Sequence, residues 1–511
     1  MLNSNRFKAH PLEQGELLPT FTSDLVSEDH PARVLSIIID TLDLTQLYSK
    51  YSWEGGTTFH PKSMLKVLFY GYSHSNRSSR KISQACRENF VYMYLGSGIK
   101  PDFRTVSLFR KNNFDILKSL FKQIVKICYE LKMISFGTIS LDGTKIKANA
   151  SRHRMVKKEK LKEKMEEIDE EIEEMLKEAE KIDAEEDEEY GEPNDGTEVP
   201  DNLKTAKERK ETIGKLIKKI EKKDAKQLSL TDEDSRLMKT GSHVELCYNG
   251  QCATENQVIL ANNISNQEYD KDQLVPMIDE LETIASSLNG KLKYPLEDAK
   301  VLADSGYESG KNLSHLKQRK IDGYVANQME SVREKEKLGK MPPKPFTKDK
   351  FFYDEKEDCY LCPAEEKLYP VSRRINTQKT YVRHEVIYQC SSCHHCGHQR
   401  ECVKSKKGLR QVKRILEYDP HREEIDKKLQ TPEGKAIFKK RKIDVEPTFG
   451  QIKSNILGSP GFLVRGETKV KGEFDLVCIT HNIKKIITYL KSNENNKNIQ
   501  DIQKVALRAV I

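Results

Sequence analysis

Three carboxylates stand out by their settings. Asp142 lies in ISLDGTKIKANAS, flanked by apolar strand-type residues and then by small ones, which does not suit a solvated charge run. Asp304, in VLADSGYESG, follows an apolar run and precedes Gly306 and a new helix, the place where open α/β sheets hold ligands. Glu446 sits in FKKRKIDVEPTFGQIK, where Asp444 can cap a helix and Pro447 fits its first turn, because its missing N–H costs little there. Lys453, seven residues on, returns to the face of Glu446 after two α-helical turns. Acids delivered by separate elements suit Mg²⁺, which takes a few carboxylates together with water and a substrate phosphate. Two such ions activate the attacking oxygen and stabilise the leaving oxygen of an in-line displacement at phosphorus. Taken singly, each acid has a plainer reading: Asp304 as a helix cap, Glu446 and Lys453 as the polar face of an amphipathic helix.

A second constellation is built on sulfur. Cys359-Tyr-Leu-Cys362 is followed after 27 residues by Cys390-Ser-Ser-Cys393-His-His-Cys396, with Cys402 beyond. Paired CxxC knuckles suit tetrahedral Zn²⁺. The spacing leaves open which four of Cys359, Cys362, Cys390, Cys393, Cys396 and Cys402 bind, and His394, His395 and His398 compete. The alternative is reduced cysteines packed as small hydrophobes. A closed thiolate site offers no open position, so its role would be structural or DNA-contacting. His243, His384 and His481 have no nucleophile-and-acid context, and the chain shows neither a P-loop nor a GxGxxG fingerprint.

The elements that must position these groups follow from hydrophobic period. GTISLDGTKIKAN, HVELCYNGQCATEN and QVILANNIS read as consecutive strands, then QLVPMIDELETIASSL as a helix, AKVLADSGY as a strand, GKNLSHLKQRK as a helix and DGYVAN as a strand. This βββαβαβ order predicts an α/β fold, an RNase H-like core with a mixed sheet. An all-α domain precedes it, with the last helix starting after Pro101-Asp102. Between Thr57 and Lys111 ten Lys or Arg face only Glu88 and Asp102; Arg77, Arg80, Lys81, Arg87 and Arg104 are the candidate DNA contacts, against a solvated basic face as the alternative.

Two insertions interrupt the core. One is a Lys/Glu-rich helical hairpin with seams through Leu161, Met165, Ile168, Ile172, Met175, Ala179 and Ile182, then Ala206, Ile213, Ile217 and Ile220. The other is the Cys-rich, zinc-ribbon-like segment. The expected organisation is a helical N-terminal DNA-binding domain over 1–132, a first core strand over 133–153, the hairpin over 154–228, the core over 229–330, the Cys-rich insertion over 331–430, the glutamate helix and a C-terminal core helix over 431–490, and a loosely held tail over 491–511.

Among 511 residues, 36% are apolar and 32% charged, with 87 Lys and Arg against 79 Asp and Glu, a net +8 that favours a polyanionic partner only where it is clustered. No apolar run reaches the roughly 20 residues needed to cross a bilayer. The start, MLNSNRFKAH, lacks the apolar stretch of a secretory signal, so a soluble cytoplasmic protein without a membrane partner is expected.

The ordered set LDGTKIKANAS, ADSGY and the glutamate helix resembles the DDE transposases of bacterial insertion sequences, in the branch with a helical N-terminal domain. TTFHPKSMLKVLFYGYSHSNRSSRKISQACREN looks like that domain. The resemblance implies that Asp142, Asp304 and Glu446 form the metal-binding triad for Mg²⁺ or Mn²⁺, and that the chain cleaves and joins double-stranded DNA at the element's terminal repeats and in a target. It further implies a homodimer on paired ends. Phe438, Arg441 and Lys453 match the aromatic, Arg and Lys of the family's glutamate helix, with Arg441 and Lys453 as phosphate contacts. Four residues separate Arg441 from Glu446 where the family commonly has three, so Lys442 competes for the role of Arg441; Glu446 and Lys453 keep the six-residue gap. A catalytically silent DNA-binding descendant, and a nuclease of the same fold that does not join, are the rival readings.

Overall fold

The computed structural model describes residues 21–51, 58–190, 201–223, 226–241, 243–288, 296–343, 345–377, 382–405, 408–458 and 461–492. The chain start and most of the expected tail lie outside them. Five of the six strands of the central sheet are β1 (Thr138–Lys147), β2 (His243–Glu255), β3 (Val258–Ser265), β4 (Lys300–Ala303) and β5 (Asp322–Val325). Their order is β3-β2-β1-β4-β5, and the short strand Arg236–Thr240 also pairs with β2. The first three run antiparallel, while β4 runs parallel to both β1 and β5, which makes the sheet mixed, as its element order predicts. Val301, Leu302 and Ala303 are fully buried, the near-continuous apolar run expected of a parallel strand covered by helices.

The N-terminal helices include Pro61–Ser73, Ser79–Glu88, Phe90–Gly96, Phe103–Asn112 and Phe114–Glu130. Here the structure departs from the single long helix expected after Pro101-Asp102. Asn113 leaves helical geometry at ψ 17° and its side-chain amide donates to the Phe109 carbonyl (2.8 Å), so the backbone turns between two helices. The helix Glu467–Ser492 packs on Phe114–Glu130 and on β3, and one apolar core runs without a break from Ala32 to Ile486.

The Lys/Glu-rich segment forms helices Lys158–Tyr190 and Asp201–Lys222, joined at the base by the antiparallel pair Met155–Lys157 and Gln227–Ser229. Leu161, Ile168, Ala206 and Ile220 are buried between them. The first helix runs past the expected break at Glu185. Ala179 and Ile182 of the seam lie outside the described side chains. The Cys-rich segment forms a second sheet of five antiparallel strands in chain order, Phe352–Asp354, Cys359–Leu361, Lys367–Asn376, Arg383–Cys390 and Gln411–Ile415. It has its own core around Tyr360, Leu368, Val386, Tyr388 and Val412.

Candidate active site

The parallel register sets the first two acids. Leu141 on β1 is opposite Ala303 on β4, so the next residues, Asp142 and Asp304, leave adjacent strands side by side, about 4.8 Å apart at the backbone. Each carboxylate is fixed by one oxygen: Asp142 Oδ1 accepts from the Gly143 N–H (2.9 Å), and Asp304 Oδ1 caps the turn Ser305–Tyr307 through the Gly306 N–H (2.9 Å). The plain reading of Asp304 as a cap is thus true of one oxygen and leaves the other free to face the site.

The third acid arrives on the glutamate helix, Arg441–Gln451, which packs on β1 and β2 through Val445, Thr448 and Phe449. This helix begins three residues earlier than the expected cap at Asp444. Asp444 is instead buried inside it and accepts from the Gln257 N–H (2.5 Å). Pro447 is therefore interior, where its ring deprives the Ile443 carbonyl of a partner; the Gln257 side-chain amide supplies one at 2.9 Å. The helix then widens into a π-helix over Ile452–Leu457, so Lys453 follows an altered turn rather than a second regular one.

Arg441 joins the three acids. Its Nη2 lies 2.9 Å from Asp142 Oδ2 and 3.9 Å from Asp304 Oδ2, and its Nη1 lies 3.8 Å from Glu446 Oε1. Side-chain exposure rises from 12% at Arg441 and 17% at Asp142 to 40% at Asp304 and 50% at Glu446, so the cluster opens to solvent on the Glu446 side. Burial pushes Asp142 up to about 6 against the pull of Arg441, and Asp304 adds to the rise. Burial likewise raises Asp304, again opposed by Arg441.

Sequence reasoning missed a polar network behind these acids. Asp270 Oδ1 accepts from Asn249 Nδ2 and Gln251 Nε2, both at 2.7 Å, and lies 3.7 Å from Lys145 Nζ. The buried Tyr307 hydroxyl donates to Gln251 Oε1, and its ionisation is raised by burial and then by Asp270, Asp142 and Asp304. A Cβ at Gly143 would sit 2.2 Å from Gln251 Nε2 and 2.4 Å from Asp270 Oδ1, which explains the glycine after Asp142. Tyr307 lies in the quoted ADSGY block; Asp270, in NQEYDKDQ, carried no signal of its own.

Residues 361–487 match the family model of the transposase DDE domain, and residues 21–112 match that of the transposase domain DUF772. Both matched models are transposase families, and together they indicate an insertion-sequence DDE transposase. No curated protein matches the chain. Glu446, Arg441 and Lys453 fall inside the DDE match, and the basic helices fall inside the N-terminal one.

The remaining expected site residues separate by environment. Lys453 and Lys145 line a groove of about 300 Å³ with Lys147 and Cys247; burial lowers the Lys453 ammonium, with Cys247 and then Asp142 opposing. Lys442 is exposed, and Phe438 packs beside Leu302 and Tyr324 under β4 and β5. Arg77 is a correction: it is buried, 3.4 Å from Glu473 Oε1, and holds the C-terminal helix against the N-terminal helices rather than facing solvent. Arg87 donates to the carbonyls of Ser83 (2.6 Å), Pro101 (3.0 Å) and Lys100 (3.1 Å), which ties down a loop. Arg80 and Arg104 lie over the Phe103 ring at 4.9 and 5.8 Å, with Lys81 exposed nearby in sequence.

Among the described residues, no three His, Cys, Asp or Glu side chains stand close enough to hold a metal ion as they are, and no helix is long and apolar enough to cross a membrane. The acids meet a guanidinium instead. Their chemistry nevertheless fits a hard divalent ion, because all three donors are carboxylate oxygens and the Arg441 Nε atom is buried without a partner.

Proposed function

We propose that this chain cleaves DNA at the ends of an insertion sequence and transfers the freed strand to target DNA, on an RNase H-like core. The observation that carries this reading is the convergence of Asp142, Asp304 and Glu446, from two strands and a helix far apart in sequence, on the single guanidinium of Arg441. The strand order β3-β2-β1-β4-β5 supports the RNase H-like assignment.

Asp142, Asp304 and Glu446 would hold Mg²⁺ or Mn²⁺ after Arg441 swings aside. When bound, the ions supply a Lewis acid for the attacking and leaving oxygens. Gly143 N–H and Gly306 N–H keep the first two carboxylates aimed at the opening. Lys453, with Lys145 and Lys147, offers cations along the adjoining groove for the scissile strand's phosphates, and Arg441, once released, becomes a bidentate phosphate donor beside them, with Lys442 further out. In the first step a water oxygen bonds to phosphorus and the 3′ oxygen leaves as a hydroxyl. In the second, that hydroxyl bonds to a target phosphorus and expels the target's own 3′ oxygen, so one phosphodiester is broken for each one formed. Arg80, Lys81 and Arg104 would touch terminal-repeat DNA, and two chains would pair two ends.

Incubating the chain with end-bearing DNA, a plasmid target and Mg²⁺ tests the reading. Covalently joined product supports it, whereas cleavage without joining leaves a nuclease, and DNA binding without cleavage leaves a silent descendant.

A further inference from the structure

Five of the six clustered cysteines line one small cavity of about 20 Å³ under the second sheet: Cys362, Cys390, Cys393, Cys396 and Cys402. The space is about that of a single water-sized sphere. Three chain segments deliver the thiols. Cys362 follows the strand Cys359–Leu361 and opens a turn closed by the Cys362 N–H to the Glu366 carbonyl, while Glu366 N–H donates to its sulfur (3.3 Å). Cys390 ends the strand Arg383–Cys390, and the short turns Ser392–His395 and Gln399–Cys402 then bring Cys393, Cys396 and Cys402 round the cavity. The Arg410 N–H donates to Cys393 Sγ (3.4 Å).

The sixth cysteine does not belong. Cys359 is buried on its strand with its thiol toward Glu357 and does not line the cavity. The competing histidines also stand off: His398 lies against the Phe346 ring at a tilt (centroids 5.2 Å apart), and none of His394, His395 and His398 lines the cavity. Cys390, Cys393 and Cys402 are buried, while Cys362 and Cys396 are part-exposed at the same cavity.

We propose that four of these five thiols, drawn from Cys362, Cys390, Cys393, Cys396 and Cys402, bind one structural Zn²⁺ ion, with Cys359 and the three histidines left out. Each ligand loses its proton on binding, and four thiolates around one Zn²⁺ carry a net charge of −2. Arg410 answers that charge: its guanidinium lines the cavity, donates to the carbonyls of Cys402 (3.1 Å) and Phe346 (3.0 Å), and keeps its buried Nε without a partner. The thiols stand wider than a coordinated set, so the ion would draw them in and lock the turns to the sheet. This inference is independent of the DNA chemistry proposed above.

Zinc content of the purified full-length protein tests it. The wild type carries about one zinc per chain; Cys359→Ser keeps it, while at least four of the single Ser variants at Cys362, Cys390, Cys393, Cys396 and Cys402 carry almost none. Wild-type protein without zinc, or zinc lost from Cys359→Ser and kept in two or more of the other five variants, would overturn the assignment. Because a ligand variant could fail to fold, alkylation of the wild type before and after a chelator reads the same set without substitution. At least four of the five cavity thiols become reactive only after chelation; a pattern indifferent to the chelator contradicts the site.

Discussion

Arg441 stands between three carboxylates that would otherwise repel one another, and it holds them in the absence of an ion. The Arg441→Ala variant should therefore lose stability in metal-free buffer, by about 1–3 kcal/mol after discounting the half-exposed Glu446. It should also gain more from Mg²⁺, since an ion that binds only the folded state stabilises by mass action. Thermal melts with and without Mg²⁺ check both, and equal shifts in variant and wild type would show that Arg441 does not compete for the acids. At this scale the sequence was informative where local context was distinctive. Asp142 and Asp304 end apolar runs beside glycines, and both take part in the cluster. Asp270 was illegible, because its importance comes from Asn249, Gln251 and Lys145 on β1 and β2, which no local pattern joins to it. Arg77 misled for the complementary reason: its partner Glu473 is almost 400 residues away along the chain, and a lone Arg in a basic segment gives no hint of burial.

Element boundaries depended on long-range partners in the same way. The interior Pro447 is tolerated because Gln257, on the turn between β2 and β3, replaces the lost backbone donor. The succession of β1 to β5 along the chain was readable from hydrophobic period, whereas the short strand Arg236–Thr240 was not. The helix Glu467–Ser492 carries two tests of its central position. Gly472 lets it approach the helix Phe114–Glu130 so closely that a Cβ would lie 2.3 Å from Phe114 Cβ. Gly472→Ala should therefore destabilise by about 1–3 kcal/mol despite the better helix propensity of alanine, as read by urea unfolding. His481 is buried, and burial lowers it to about 4, with its Nε2 2.8 Å from the Gln257 carbonyl. The unfolded chain binds this proton near pH 6.5 and the folded chain does not. Its contribution is therefore complete above about 6.5 and is lost as pH falls toward about 4, roughly 3 kcal/mol in all. Urea midpoints at pH 7 and pH 5 should fall less in His481→Asn than in the wild type; equal falls would place the acid sensitivity elsewhere.

On the scale of the whole molecule, the C-terminal helix, the sheet and the N-terminal helices share one core, so the basic surface and the acid cluster are held by the same body of packing. Phosphate contact by Arg80, Lys81 and Arg104, as proposed, would make DNA affinity steeply salt-dependent, by nearly one power of salt concentration per phosphate neutralised. Replacing all three with alanine should flatten that slope by roughly 2–3, whereas Arg77→Ala should leave the slope unchanged and lower the unfolding midpoint. A slope unaffected by the triple variant would remove DNA contact from these helices. The measurement that bears most directly on the central claim is cleavage of labelled end DNA with Mg²⁺ or Mn²⁺, comparing the wild type with Asp142→Asn, Asp304→Asn and Glu446→Gln. Metal-dependent nicking that falls at least a hundredfold in every variant, with DNA binding retained, is the expected result. Undiminished nicking in any one of the three would contradict the assignment of that acid to the reaction.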